Sequence, residues 1–268
     1  MSDFWDIAPK QPQEWITQPE LDGLGDVVDN TEDPAMTSII IPVCNNNYPL
    51  WHYTGNCIGS VREHTDNVIT PYEIILVDNA SPIKPGVLSD LKSDKVIVNQ
   101  ENRGVAHAWN QAIRASKGGT ICLLNNDTMV FDYWLEDLLD CLLYRDFVMA
   151  TPMYGDSYAR GIESAVLRSK WADKPVEESF SDFRDFACVI AKKQLFNDIG
   201  LFDEQFSLGY GEDLDFFKRM DMAGKRYAST KKVNIFHIIG ATSSSIPEIG
   251  KVMDENREKL RLKYEEKV

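Results

Sequence analysis

Runs of apolar residues, too short to be helices, recur along the first half of the chain. They predict strands at residues 38–43, 74–78, 96–99 and 120–125. Unbroken apolar runs are typical of strands that are buried on both faces of a sheet. Helices are predicted at about residues 51–64, 103–116 and 133–144, the second capped by Asn102 and ended by Gly118 and Gly119. This alternation predicts a doubly wound, mostly parallel α/β sheet with helices on both faces.

The second half of the chain has a less regular pattern. Strands are predicted at residues 147–152, 186–191 and 233–237, and helices at 193–199, 212–223 and 249–264. The last of these helices is rich in charge, and we expect it to be solvated. Residues 154–182 are rich in Ser, Gly and charged residues, and their length predicts a functional loop.

The N-terminal segment differs in composition from the rest of the chain. Residues 1–36 are acidic, lack a sustained hydrophobic period and contain Pro9, Pro12, Pro19 and Pro34. Such a sequence buries little surface, which predicts an extended arm that is dispensable for the fold. We therefore divide the chain into an N-terminal extension at 1–36, a main domain at 37–246 and a charged C-terminal helix at 247–268.

Charge and cysteine content narrow the functional classes. The net charge of -14 and the pI near 4.7 argue against non-specific binding to nucleic acid, which needs Lys and Arg to neutralise phosphates. The five cysteines form no CxxC pair, which indicates neither a zinc site nor a disulfide framework. No segment has the length and hydropathy of a membrane span or the order of a signal peptide. The expectation is a soluble protein of the cytoplasm.

Two of the predicted strands run into a carboxylate. Asp78 ends the strand at 74–78, and the strand at 120–125 continues into Asn125, Asn126 and Asp127. Open parallel sheets bind ligands at the carboxyl ends of their strands. Carboxylate and carboxamide oxygens are also the ligands that hard divalent cations prefer. The pattern predicts one crevice lined by two carboxylates.

Six landmarks along the chain resemble, in type and in order, those of the family 2 glycosyltransferases. They are residues 39–43 (IIIPV), 77–81 (VDNAS), 101–106 (ENRGVA), 124–128 (LNNDT) and 211–215 (GEDLD), and His237 with Gly240 and Ser243. The resemblance extends over about residues 37–245. It implies a GT-A fold, which joins a nucleotide-binding half to an acceptor-binding half, and an inverting glycosyltransferase.

The resemblance also implies a set of residues that bind the nucleotide sugar. Asp78 would accept hydrogen bonds from the base or ribose, and the helix start after Asn102 would face the phosphates. The implied set is Pro42, Val43, Asp78, Asn102, Arg103, Gly104, Asn125 and Asn126. From local sequence alone, Asp78 is equally well explained as a turn former and Asn102 as an ordinary helix cap.

A metal site is implied at the second carboxylate. Asp127 corresponds to the acidic end of the family's DxD signature, and Asn125 stands in place of its first Asp. The resemblance implies that His237 is a further ligand and that the ion is Mn²⁺ or Mg²⁺. Without the resemblance, residues 125–127 are also explained as a polar turn and His237 as a core histidine.

The catalytic residues are implied at the start of a late helix. Glu212 and Asp213 follow a glycine-rich turn, where a helix N-terminus by itself stabilises acidic side chains. In the family this pair carries the general base. We therefore expect Asp213 to take the proton from the acceptor hydroxyl and Glu212 to orient the acceptor.

The resulting hypothesis is a metal-dependent transfer of a sugar from a UDP or dTDP donor to an acceptor hydroxyl. The alternatives are a catalytically inactive nucleotide-sugar binding module and a sugar-phosphate nucleotidylyltransferase. The latter needs a glycine-rich loop after the first strand, where residues 42–49 contain no glycine. The acceptor stays open among a glycan, a lipid-linked glycan, a protein and a modified nucleobase.

Overall fold

The computed structural model describes residues 14–24, 32–45, 48–82, 88–143, 146–152, 177–178, 186–206, 208–233, 235–238 and 249–265. Within them the strands are β1 (Glu14–Ile16), β2 (Asp33–Val43), β3 (Tyr72–Asp78), β4 (Lys95–Val98), β5 (Gly118–Leu124), β6 (Thr128–Val130), β7 (Met149–Pro152), β8 (Glu177–Glu178), β9 (Cys188–Lys192), β10 (Tyr227–Thr230) and β11 (Ile235–His237). The helices are α1 (Gln18–Gly23), α2 (Tyr48–His64), α3 (Val105–Ala115), α4 (Trp134–Leu143), α5 (Gln194–Ile199), α6 (Glu212–Met222) and α7 (Ile249–Glu265).

The large sheet has the strand order β1-β4-β3-β2-β5-β9-β7-β10-β8. Pairing is parallel from β1 through β5 and again between β7 and β10. β9 runs antiparallel to both of its neighbours, and β8 runs antiparallel to β10. β6 and β11 form a separate antiparallel pair. The predicted α/β class with a mostly parallel central sheet is confirmed.

Both faces of the central sheet are buried, which explains the unbroken apolar runs. Ile39 and Ile41 of β2 contribute to one core cluster with side chains of α2 and α4, whereas Ile40 contributes to the other cluster with side chains of α3 and α6. Successive strand residues point to opposite faces. An apolar residue is therefore needed at every position of such a strand, and the helices on each side supply the covering layer.

The N-terminal segment is more structured than its composition predicts. β1 pairs in parallel with β4 at the edge of the sheet, and β2 begins at Asp33, inside the segment assigned to the extension. The partly buried side chains of Ile16, Leu21 and Leu24 pack against the second core cluster. The expectation that this segment buries little surface is therefore wrong for these residues, whereas its dispensability for the fold stays a prediction. The division of the chain into three parts stays a prediction.

Several element boundaries differ from the sequence prediction. α3 begins at Val105 rather than at residue 103, and Gly118 and Gly119 lie in β5 instead of ending the helix. A Cβ at either glycine would lie within 2.6 Å of a backbone oxygen of Pro34 or Met36. The start of β5 can therefore approach β2 this closely only because residues 118 and 119 have no side chain. The short strands β6 and β10 were not predicted. The loop predicted at 154–182 lies outside the described residues apart from 177–178.

Two buried lysines hold the C-terminal end of α3. Lys95 Nζ donates to the carbonyl of Ala115 at 2.9 Å, and Lys193 Nζ donates to the carbonyl of Ser116 at 2.7 Å. Lys95 also forms a buried ion pair with Glu73 at 2.9 Å. Cations at a helix C-terminus satisfy carbonyls that lack an intrahelical donor. These contacts fix α3, whose other end approaches the candidate site. None of the helices described here is long and apolar enough to span a bilayer.

Candidate active site

The carboxyl ends of β2, β3 and β5 lie side by side. Val43 is paired with Asp78 in the parallel register of β2 and β3, and the backbone N-H of Asn79 donates to the carbonyl of Val43 at 2.7 Å. Asp78 is fully buried, and its Oδ1 accepts the backbone N-H of Ser81 at 2.9 Å. The carboxylate is thus held at the strand end by the turn that follows it. The contact with Ser81 agrees with the turn explanation, and binding of a nucleotide by Asp78 stays a prediction.

A network of carboxamides ties the loops after β3 and β4 to helix α3. Asn79 Nδ2 donates to Oδ1 of Asn102 at 2.7 Å and to the carbonyl of Gly104 at 3.0 Å. Asn99 donates to Asn79 at 3.1 Å and exchanges hydrogen bonds with Gln111 at 2.8 and 2.9 Å. Because buried amides are costly unless their donors and acceptors are satisfied, this network rigidifies the loops around Asp78.

Gly104 occupies the N-cap position of α3, so the predicted cap at Asn102 is wrong, and Asn102 instead binds the backbone just before the helix. Its Oδ1 accepts the backbone N-H of Gly104 at 2.9 Å, and Gly104 has φ of 95°. A Cβ at Gly104 would lie 2.9 Å from the backbone nitrogen of Leu208. Only glycine therefore allows the start of α3 to approach the loop that leads to Glu212.

Arg103 is exposed and lies beside an acidic partner that the sequence did not single out. Its guanidinium is 3.5 Å from Oε2 of Glu204, and the same oxygen lies 2.8 Å from Nδ1 of His107. Hydrogen bonds from His107 and Asn110, with the charge of Arg103, lower the pKa of Glu204 to about 2. The positive charge of Arg103 at the start of α3 is thus partly neutralised by Glu204.

The turn after β5 brings Asp127 to His237. Asp127 is buried, and its Oδ1 lies 3.1 Å from Nε2 of His237. The antiparallel pair of β6 and β11 places His237 opposite Thr128, and the N-H of Ile238 donates to the carbonyl of Asp127 at 3.0 Å. The two residues that the sequence proposed as metal ligands therefore lie together. Among the residues with described positions, no group of three or more His, Cys, Asp or Glu could hold a metal ion.

Asn125 and Asn126 shape this turn. The carbonyl of Asn125 accepts the hydroxyl of Thr128 at 2.7 Å, and its N-H donates to the carbonyl of Ala187 at 2.9 Å. The Nδ2 of Asn126 is buried, and it donates to Asn45 at 3.2 Å and to Thr54 at 3.0 Å. These contacts give Asn126 a positioning role in the turn. Its contact with a nucleotide sugar stays a prediction.

Glu212 and Asp213 differ strongly in environment. Glu212 is buried, and its Oε2 has no hydrogen-bond partner in the described part of the chain. Burial and the adjacent charge of Asp213 raise the pKa of Glu212 to about 8. Asp213 is partly exposed, and its Oδ1 accepts the N-H groups of Leu214 at 2.8 Å and Gly211 at 3.3 Å. At neutral pH, Glu212 is therefore mainly protonated.

Packed aromatic rings connect α3 to α6. The ring of Phe202 lies 4.5 Å from that of Phe216 and 4.9 Å from that of Trp109, measured between centroids. Asn110 and Phe202 also exchange hydrogen bonds at 2.9 and 3.0 Å. The helix that begins at Val105 and the helix that carries Glu212 are thus held by one rigid cluster.

Comparison with known proteins identifies the family to which the chain belongs. The family model described as Glycosyl transferase family 2 matches residues 38–196, which is more than half of the chain. The chain belongs to glycosyl transferase family 2. Among curated relatives, Glycosyltransferase GlyG of Streptococcus pneumoniae serotype 4 is 28% identical over 116 residues, covering 41% of this chain and 36% of GlyG.

Solved structures of similar fold indicate a GT-A fold for this glycosyl transferase family 2 chain. GalNAc-T7, crystallised with UDP, GalNAc and Mn²⁺, has a TM-score of 0.61 at 18% identity and covers 84% of this chain and 50% of its own. S. aureus TarS 1–349 in complex with UDP-GlcNAc has a TM-score of 0.59 at 18% identity, with 84% and 66% covered. The chain spans about a third of GlyG and half of GalNAc-T7.

Several residues around the candidate site were missed by reasoning from sequence. They are Asn79, Asn99, Gln111, His107 and Glu204, which support the loops around Asp78 and the start of α3. Asn79 stood within the VDNAS landmark, where only Asp78 was assigned a role. The others carry no local signal, because their partners lie on other elements.

Proposed function

We propose that the protein transfers a sugar from a nucleoside diphosphate donor to an acceptor hydroxyl with inversion at the anomeric carbon. The observation that carries this proposal is the approach of Asp127 to His237 at 3.1 Å, at the sheet edge where Asp78 also ends its strand. A carboxylate for the nucleoside and two ligands for a cation next to its diphosphate suit this donor class. Membership of family 2 supports the same reaction.

A divalent cation, Mn²⁺ or Mg²⁺, is part of the proposal. The donor set fits, because the buried Oδ1 of Asp127 accepts no hydrogen bond among the described residues while an imidazole nitrogen lies 3.1 Å away. Asp127 and His237 would hold the ion, with the donor's phosphate oxygens completing its shell. When bound, the ion supplies positive charge that stabilises the leaving nucleoside diphosphate. GalNAc-T7, of similar fold, was crystallised with UDP and Mn²⁺.

We assign the donor to the uridine or thymidine diphosphate sugars. The carboxylate of Asp78 can accept a hydrogen bond from N3-H of uracil or thymine, a proton that cytosine lacks. The complex of TarS with UDP-GlcNAc is consistent with a uridine donor. Pro42, Val43 and the start of α3 at Gly104 would line the same nucleotide site, because they occupy neighbouring strand and helix ends.

Asp213 is the proposed general base. Its carboxylate lies at the start of α6 and is partly exposed, so it can reach an acceptor hydroxyl. Glu212 is buried and mainly protonated at neutral pH, which leaves it as a hydrogen-bond donor that orients the acceptor or the donor sugar. Positioning of the two substrates and transfer of one proton to Asp213 are then the tasks of the protein.

A donor panel tests the proposal. Purified protein is incubated with UDP, dTDP, GDP and CDP sugars and Mn²⁺, and release of nucleoside diphosphate is measured with and without EDTA. We expect release from a uridine or thymidine donor that stops when EDTA is added. Calorimetry of Asp78→Ala with UDP should show a loss of about 1 to 3 kcal/mol, the value of a hydrogen bond to a charged group. A preference for GDP or CDP sugars contradicts the donor assignment. Absence of turnover with every donor contradicts the proposed sugar transfer.

A further inference from the structure

The C-terminal helix α7 contacts the loop that precedes Glu212. Asn256 is fully buried, and its Nδ2 donates to the carbonyl of Gly209 at 2.7 Å. The Oδ1 of Asn256 accepts from Nζ of Lys259 at 3.2 Å, and the same nitrogen donates to the carbonyl of Gln205 at 2.8 Å. Two side chains of one helix therefore bind the backbone of this loop. The helix was predicted from its charge to be solvated, and that expectation is wrong for this face.

The same helix binds α6 on the other side of the acidic pair. The hydroxyl of Tyr264 donates to Oδ1 of Asp215 at 2.8 Å. Lys263 forms an ion pair with Asp215 and another with Asp203 at 2.7 Å. Asp215 is fully buried and is also paired with Arg219 at 2.8 Å. Glu212 and Asp213 thus lie between two points that α7 holds, at Gly209 and at Asp215.

The loop needs such support because its backbone is strained. Four successive residues have positive φ: Leu208 at 59°, Gly209 at 122°, Tyr210 at 68° and Gly211 at 128°. Non-glycine residues in this region cost free energy and persist only where surrounding contacts impose them. Gly209 also lies close to the start of α3 and to Glu212. A Cβ at this position would be 3.6 Å from Val105 and 3.9 Å from Oε1 of Glu212.

We propose that Asn256 is a positioning residue for the reaction, acting through Gly209 on Glu212 and Asp213. Its hydrogen bond holds the strained loop in the conformation that presents the acidic pair at the start of α6. Tyr264 performs the matching task at Asp215. The proposal rests on the proposed function, in which Asp213 is the base, and it makes α7 part of the acceptor half of the site.

The test compares Asn256→Asp with wild type. The substitution keeps the size of the side chain but replaces the amide donor by an oxygen that repels the carbonyl of Gly209. Tyr264→Phe removes the second contact and keeps the ring. Arg257→Ala is the control, because Arg257 is exposed on the same helix and pairs with Asp254 along the surface of that helix. Nucleotide release from the best donor of the panel, calorimetric affinity for UDP with Mn²⁺, and hydrogen exchange of residues 208–214 are measured for each protein.

We expect Asn256→Asp to lower kcat by about 10- to 100-fold, the scale expected for misplaced catalytic groups, while KM for the donor and affinity for UDP stay unchanged. Tyr264→Phe should lower kcat in the same direction, and Arg257→Ala should match wild type. Exchange at 208–214 should accelerate in the first two variants only. An unchanged kcat, or a parallel loss of kcat, UDP affinity and melting temperature, overturns the positioning role.

Failure of the proposed function has a different signature. If wild type turns over no donor, the enzyme assignment fails, but hydrogen exchange still reports on the loop. Faster exchange at 208–214 in Asn256→Asp, with no change in Arg257→Ala, then supports the conclusion that Asn256 of α7 stabilises the loop. Equal exchange in all three proteins overturns it.

Discussion

Nε2 of His237 lies 3.1 Å from Oδ1 of Asp127, although a large part of the chain separates the two residues. The short antiparallel pair of β6 and β11 creates this proximity, because it sets His237 opposite the residue after Asp127. A carboxylate and an imidazole at this distance can both coordinate one divalent cation.

The first prediction concerns this pair. Asp127→Ala and His237→Ala should each lower the Mn²⁺-dependent affinity for UDP by at least about ten-fold, because the ion that links protein and diphosphate loses a ligand. Calorimetric titration of UDP with Mn²⁺ and with EDTA measures the effect. His64→Ala is a matched control, since His64 lies 2.6 Å from Asp132 at the surface. Wild-type affinity for UDP in both site variants contradicts the metal role.

The second prediction separates chemistry from binding. Asp213→Asn should fold and bind UDP as wild type does, but lose transfer by about 10²- to 10⁴-fold, the usual contribution of a general base. Asp221→Asn, an exposed change on the same helix, serves as the control. Single-turnover kinetics at saturating donor measures the chemical step. An unimpaired rate in Asp213→Asn moves the base to another residue.

The third prediction uses the raised pKa of Glu212. Burial raises this pKa from 4.5 to about 8, so the folded protein binds a proton that the unfolded chain has released between these pH values. Relative to Glu212→Gln, the contribution of Glu212 to the free energy of unfolding is therefore fully present below about pH 4.5 and is lost as the pH rises towards about 8. The limiting slope of this loss is about 1.4 kcal/mol per pH unit.

Urea unfolding of wild type and Glu212→Gln from pH 5 to pH 9 checks this dependence. The stability of Glu212→Gln relative to wild type should increase with pH. Glu255→Gln, at an exposed position of α7, should follow the wild-type curve. Parallel curves for wild type and Glu212→Gln would show that Glu212 is ionised in the folded state throughout this range.

The fourth prediction tests the close contact between α3 and the loop before Glu212. Gly104→Ala should destabilise the protein by about 1 to 3 kcal/mol, because the residue has φ of 95° and the new Cβ would lie 2.9 Å from Leu208 N. Gly250→Ala, where no atom of the described residues lies within 4 Å of the added Cβ, should be neutral or stabilising. Chemical denaturation of both variants gives the comparison, and equal stabilities would refute the contact.

The fifth prediction concerns the N-terminal segment. Leu21→Ala should destabilise the fold by about 1 to 2 kcal/mol, less than a fully buried leucine, because Leu21 is partly buried against the core. Trp15→Ala should have a smaller effect, since 49% of Trp15 is exposed. Thermal melting distinguishes the two. A change at Leu21 without effect would restore the expectation of a dispensable arm.

Much of the central fold follows from sequence because the signals are local. Residues 39–41 must be apolar at every position when both faces of β2 are covered, and the polar residues that follow each run mark the carboxyl ends of strands. Asp78 and Asp127 could therefore be assigned to one edge of the sheet. The order of the six landmarks along the chain pointed to family 2, and the family match confirms it.

The tertiary structure decided what depends on contacts between distant segments. Burial of Glu212 arises from tertiary packing and cannot be predicted from a charged stretch of sequence. The edge strand β1 pairs with β4 through backbone hydrogen bonds, which leave no signal in the sequence. Hydrophobic periodicity reports which face of an element is buried, but not which element covers it. For the same reason α7 looked solvated, although Asn256 binds the loop before the acidic pair. One buried polar side chain leaves no periodic signal, so its partner at Gly209 could be identified only in the folded chain.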